Sequence, residues 1–197
     1  MIRFERVPEP AEFDEQARMP GLQWLESHPS AKRPRDYWNR FKTELAEGFN
    51  NLCAYTAIHE PVGTVDHFIS IDSDRSLAYE WENYRFASGW INSSKQNADN
   101  LILDPFEVEN DWFEIHLPSL QMTVSENIPE EHRAKAEYTL KRLHLQNDPR
   151  VIGPRQRWYQ MYQEGKLTLE GLREMAPLVA RAVEKHIRNC IISKGMT

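Results

Sequence analysis

A chain of 197 residues, 40% hydrophobic and 27% charged, is long enough to bury one core and too apolar to remain disordered. Its net charge of -6 excludes a protein whose whole surface grips nucleic acid by counterion release; the basic residues are local, at Lys32, Arg33 and Arg35 and again at Arg150, Arg155 and Arg157. No apolar run reaches the length of a membrane span, the charged start MIRFERVPEP lacks the apolar stretch of a signal peptide, and two cysteines far apart, Cys53 and Cys190, make no disulfide framework, so a cytoplasmic location is expected.

Residues 1–35 read as a Pro-rich arm with one short helix near 10–18, pinned to the core by Trp24 and Leu25. From Asp36, bulky residues at helical spacing (Trp38, Phe41, Leu45, Phe49) predict an amphipathic helix, with Pro34 just before it and Asp36 suited to its N-terminal dipole. A short apolar run, 52–58, is followed by a turn through Pro61 and Gly63. Residues 64–69, rich in β-branched and aromatic side chains, predict a strand; 70–76 a polar loop; 84–87 a second strand; and 91–100 a short helix. Residues 101–106 and 112–117 read as further strands. The last third is helical: 131–145, 155–162, 168–175 with Thr168 as N-cap, and 177–192 with Pro177 near its first position.

The segment VDHFISIDSDRSLAYEWENYRFASGWINSSK, from Val65 to Lys95, carries the chemistry. Asp66 and His67 close an apolar run, Asn83 sits on a second, aromatic one, and Asn92 opens a polar, helix-compatible segment ending in Lys95. Hydrolysis of a phosphodiester needs an activated water, neutralised phosphoryl oxygens and a stabilised leaving oxygen, and a histidine beside one divalent cation can supply these. Each residue alone has a plainer reading: His67 as a hydrogen-bonded structural group, Asn83 as a turn residue, Asn92 as a helix cap, Lys95 as a solvated charge. The joint order and spacing shift the balance toward catalysis. His59, His116, His132, His144 and His186 show no ligand spacing and read as structural, as Trp24, Trp38, Trp112 and Trp158 read as core.

Asp66-His67, Asn83 and the closing Asn92-Ser-Ser-Lys95 resemble the HNH endonucleases of the ββα-metal superfamily, and the surrounding LAYEWENYRFA and LILDPF resemble a bacterial subgroup of them. The resemblance implies an α+β fold with a ββα-metal core at 51–100, a packing arm and helix at 1–50, and strands and helices of the same domain at 101–197. It implies His67 as general base, Asp66 and Asn92 as ligands of Mg2+ or Mn2+, Asn83 as the residue that orients His67, and Lys95 as a phosphate contact. Nucleic acid, DNA in the first instance, is the implied partner. HNH effectors of anti-phage systems such as Septu and certain retrons work beside an ATPase, and the general layout extends the resemblance to them. One departure is clear. Where many HNH proteins carry two Cys-x-x-Cys pairs for zinc, this chain has Cys53-Ala-Tyr-Thr and Ser88-Gly-Trp-Ile, too few thiolates for a tetrahedral site, and packing by Tyr55, Trp81, Phe86 and Trp90 is expected instead. That loss, with the acidic charge, leaves a second expectation: a catalytically silent scaffold of the same fold.

Overall fold

In the computed structural model, which describes residues 1–194, the segment predicted to carry the site folds as a hairpin and a helix. Strand β1 (Thr64–His67) pairs antiparallel with β2 (Tyr84–Ala87), in the register Val65 with Phe86, Asp66 with Arg85 and His67 with Tyr84. The connection holds two 3-10 turns, Arg75–Tyr79 and Trp81–Asn83. Helices α1 (Met19–Ser27) and α2 (Lys42–Gly48) precede the hairpin and α3 (Gly89–Lys95) follows it. α3 is shorter than the predicted 91–100 because Gln96 takes a positive φ of 50°, which a right-handed helix cannot continue through. α2 packs on both strands and α3 on β1.

The first fifty residues hold more helix than their sequence signals. A π-turn at Asp14–Arg18 runs straight into α1, which carries Pro20 and Gly21 near its start. Pro20 stands at the junction of the two windings, just after the Met19 N–H closes the π-turn on the Asp14 carbonyl. Gly21 lies against Tyr79, whose ring would stand 2.5 Å from any added Cβ, so the glycine lets helix and ring close together. The stripe Trp38, Phe41, Leu45 and Phe49 is buried as predicted, but on a 3-10 turn (Tyr37–Phe41) followed by α2 rather than on one helix. Trp24 corrects the expectation of a core anchor: it is half-buried, stacked on His28 at 4.4 Å, while Leu25 alone meets the core.

A second two-stranded sheet joins β3 (Phe113–His116) to β4 (Gln121–Val124), a strand the sequence did not announce. Helices α4 (Glu130–Arg142), α5 (Pro149–Gln163), α6 (Leu169–Met175) and α7 (Pro177–Lys194) complete the α+β fold. Thr168 caps α6, accepting from the Gly171 N–H. α5 begins a turn and a half before the predicted start, because Asp148 caps Arg150 and Pro149 opens the helix, which then passes through Pro154. One continuous apolar core takes Phe4 and Phe13 from the arm, Phe86 from the hairpin, and Leu140, Leu172 and Val183 from the C-terminal helices.

Residues 101–106 are not a strand. After a 3-10 turn at Asp99–Leu101 the chain bends so that Asp104 can meet Arg85, with Nε to Oδ1 at 2.8 Å and Nη2 to Oδ2 at 2.6 Å. Both side chains are buried, the guanidinium lies 3.9 Å from the Phe106 ring centre, and the Phe106 N–H also donates to Asp104. Removing one partner of a buried ion pair strands the other charge, so Asp104→Ala should cost about 3–5 kcal/mol in urea denaturation. Asp104→Leu combined with Arg85→Met should cost much less.

Candidate active site

Strand alternation sends Asp66 to one face of β1 and the His67 ring to the other. The Asp66 face is closed. Its carboxylate is 1% exposed, accepts the Tyr55 hydroxyl on Oδ2 at 2.6 Å and pairs through Oδ1 with the Lys95 ammonium at 3.3 Å. Lys95, fully buried, also donates to the His67 carbonyl at 2.7 Å. Asn92, one turn earlier on α3, donates its amide to the Val65 carbonyl at 3.3 Å. Helical spacing therefore brings Asn92 and Lys95 to the same stretch of β1. Burial and the neighbouring Asp66 charge push the Tyr55 phenol well above its ordinary range, which keeps it a donor to that carboxylate.

The imidazole faces the connection between the strands. Its Nε2 lies 2.9 Å from the Ala78 carbonyl, and the rings of Trp38 and Tyr84 meet it edge-on at 4.7 and 5.0 Å. A carbonyl only accepts, so Nε2 carries the proton and the neutral ring keeps its lone pair on Nδ1. Nδ1 has no hydrogen-bond partner among the described residues. It is not among the fully buried unpartnered side-chain atoms, which are Arg18 Nε and Arg142 Nε among the described residues. Burial, more than any other influence, lowers the His67 pKa from its ordinary value.

Asn83 spans the loop after His67, as its position implied, but it does not touch the imidazole. Its Oδ1 accepts the Ile69 N–H at 2.8 Å and its Nδ2 donates to the carbonyls of Ile69 and Leu77 at 3.0 and 3.2 Å. Leu77 precedes the residue whose carbonyl fixes the tautomer, so Asn83 acts on His67 through backbone. Lys95 likewise departs from its expected place: its ammonium lies inside, on Asp66, not at a surface where phosphate would arrive. Asn92 is no helix cap either, since α3 starts three residues before it.

Sequence reasoning missed the partners. Ala78 acts through a main-chain carbonyl, which leaves no mark in the choice of side chain, and that carbonyl also accepts the Tyr84 hydroxyl at 2.7 Å. Tyr55 was expected only to fill the space of a zinc site. It is buried there, with Trp81 and Phe86, while Trp90 is half-buried under Arg150. The four positions corresponding to the zinc pairs, Cys53, Thr56, Ser88 and Ile91, are all buried, and the Ser88 N–H points at Cys53 Sγ at 3.5 Å.

A hard divalent cation prefers oxygen ligands. Asp66 Oδ1 and the His67 carbonyl already converge on one positive charge, the Lys95 ammonium, and Asn92 adds a carboxamide on the same side of β1. As folded, the ammonium itself takes the place that such an ion would fill. No cluster of three or more His, Cys, Asp or Glu side chains able to hold a metal occurs among the described residues. No described helix is long and apolar enough to cross a membrane. The chain matches no family model and no curated protein.

Because the folded-state pKa of His67 is depressed, the unfolded chain binds the extra proton first as pH falls. The stability that this group contributes is whole above the ordinary histidine value of about 6.5 and drains away as pH drops from there toward the folded value. Denaturant midpoints measured across that interval should fall for the native chain and fall less for His67→Phe.

Proposed function

We propose that this chain is a metal-dependent endonuclease of the HNH type, hydrolysing phosphodiester bonds in nucleic acid, DNA in the first instance. The observation that carries the reading is the hydrogen bond from His67 Nε2 to the Ala78 carbonyl, which leaves the Nδ1 lone pair of the neutral ring free to accept a proton. A magnesium or manganese ion held by Asp66 and Asn92 would supply charge neutralisation at the phosphoryl and leaving oxygens. The rest falls to the protein. His67 Nδ1 takes the proton of the attacking water, Ala78 and Tyr84 hold the ring edge-on, and Asn83 keeps residues 69 and 77 in register behind it. The lowered pKa keeps the ring unprotonated at neutral pH.

Loss of a general base typically costs 10²–10⁴-fold, on the order of which His67→Ala should slow plasmid nicking in magnesium or manganese. Ala78 retains the Tyr84 hydroxyl as a donor, so this variant does not orphan the carbonyl. Cleavage by His67→Ala at the native rate would refute the assignment. An anti-phage setting and an ATPase partner are carried by the resemblance of layout alone.

The sealed Asp66–Lys95 pair favours one second reading, a catalytically silent scaffold of the same layout. Thermal melting separates the two. Lys95→Met leaves Asp66 buried without its cation. In a nuclease, manganese should raise the melting temperature of this variant, and adding Asp66→Asn should abolish the effect. A scaffold should show no response to manganese in either background.

A further inference from the structure

The two basic groups of the sequence have different fates. Arg155 is 1% exposed and spends its guanidinium on the carbonyls of Leu120, Leu145 and Gln146, while Arg150 pairs with Asp148. Cations elsewhere on the surface are often paired too, as are Arg3, Arg18, Arg173 and Lys185. Lys32, Arg33, Arg35 and Arg40 are the exception as a group. All four are exposed, none makes an ion pair among the described residues, and the one carboxylate within their run is Asp36. In a chain of net charge -6 these cations are concentrated in one place.

That place adjoins His67. Trp38, in the same segment, meets the imidazole edge-on at 4.7 Å. The segment is also held from within. Arg75 donates to the carbonyls of Ala31 and His28 at 2.5 and 2.9 Å, the Tyr79 hydroxyl donates to the Arg35 carbonyl at 2.6 Å, and Pro34 is buried. Residues 75–79 thus fix the strap on one side and, through Ala78, the imidazole on the other.

We propose that residues 32–40 form a preordered phosphate-binding strap that grips the nucleic-acid backbone beside the bond to be cut. The proposal rests on the nuclease reading for the position of that bond, and on exposed, unpaired cations above a pinned backbone for the grip. Arginine and lysine on a backbone that needs no further ordering lose little entropy when phosphates arrive. The strap gives an acidic protein a local polyanion site, one that binds without regard to base sequence.

The test is fluorescence anisotropy of a labelled DNA duplex across a salt series, with His67→Ala as the uncleaving parent. Adding Lys32→Gln, Arg33→Gln and Arg35→Gln should weaken binding at least about tenfold. It should also flatten the slope of log affinity against log salt by about 0.9 for each phosphate no longer neutralised. A control with Arg3→Gln, Arg173→Gln and Lys185→Gln should bind as the parent does. In the cleaving background, the strap variant should raise KM and leave kcat near native. Unchanged affinity and slope in the strap variant would overturn the proposal, as would equal capture of the parent by phosphatidylglycerol vesicles. Native-rate cutting by His67→Ala strikes the base assignment and leaves the binding result standing; unchanged binding strikes the strap and leaves the base assignment standing.

Discussion

Asp66 and Arg85 are opposite each other in the hairpin, and each is buried with its countercharge drawn from outside it. Asp66 takes Lys95 from α3 and Arg85 takes Asp104 from the segment beyond. Two carboxylates and two cations therefore stand together in the interior and sum to zero. Each of these ions costs several kcal/mol to desolvate, and the cost is met only where geometry and additional hydrogen bonds are good. Tyr55 on Asp66, the His67 carbonyl on Lys95, and the carbonyls of Glu82 and Tyr84 on Arg85 supply those bonds. A shift in the hairpin register by one residue would turn both charges to the wrong face. The network fixes which way β1 and β2 face, and so where the imidazole points.

The same constraint shapes what surrounds the hairpin. Ile102 and Leu103 are buried and look like strand residues, but the chain that carries them cannot run straight and still deliver Asp104 to Arg85. It bends, and Phe68 and Phe106 close over the guanidinium at 5.0 and 3.9 Å. The Phe106 ring also tilts against Phe49, beyond α2, so the buried charges and the apolar core share a wall.

What was legible in the sequence was whatever a local pattern encodes. The two strands of the hairpin, the Thr168 cap, the apolar stripe of Trp38 to Phe49 and the last helix each follow from spacing or from one capping residue. The chain hid what depends on distant partners. The helix through Pro20 and Gly21, and the start of α5 ahead of Pro154, were not announced, because the preference of each residue is local and its place in a turn is not. The strand expected at 101–106 gave way to one ion pair across the fold. At the candidate site, side-chain types identified Asp66, His67, Asn83, Asn92 and Lys95, and helical spacing put Asn92 and Lys95 together. The Ala78 carbonyl that sets the tautomer is main chain and carries no compositional sign. Lys95 was legible as a charge and illegible as a buried one, because its burial rests on a carboxylate one strand away.

Alternation along β1 raises a problem for any chemistry that joins Asp66 to His67, since neighbouring side chains in a strand point apart. The structure meets it through the peptide group of His67. The carbonyl of that residue accepts the Lys95 ammonium on the Asp66 side, while its ring faces the Ala78 carbonyl on the other. A positive charge bound by Asp66 is thereby held against the backbone of the residue whose side chain is the candidate base. β1 ends at His67, and no further strand residue stands between its two faces. Up to that terminus the Asp66 charge and the His67 ring stay on opposite faces, and the His67 peptide group is the link between them.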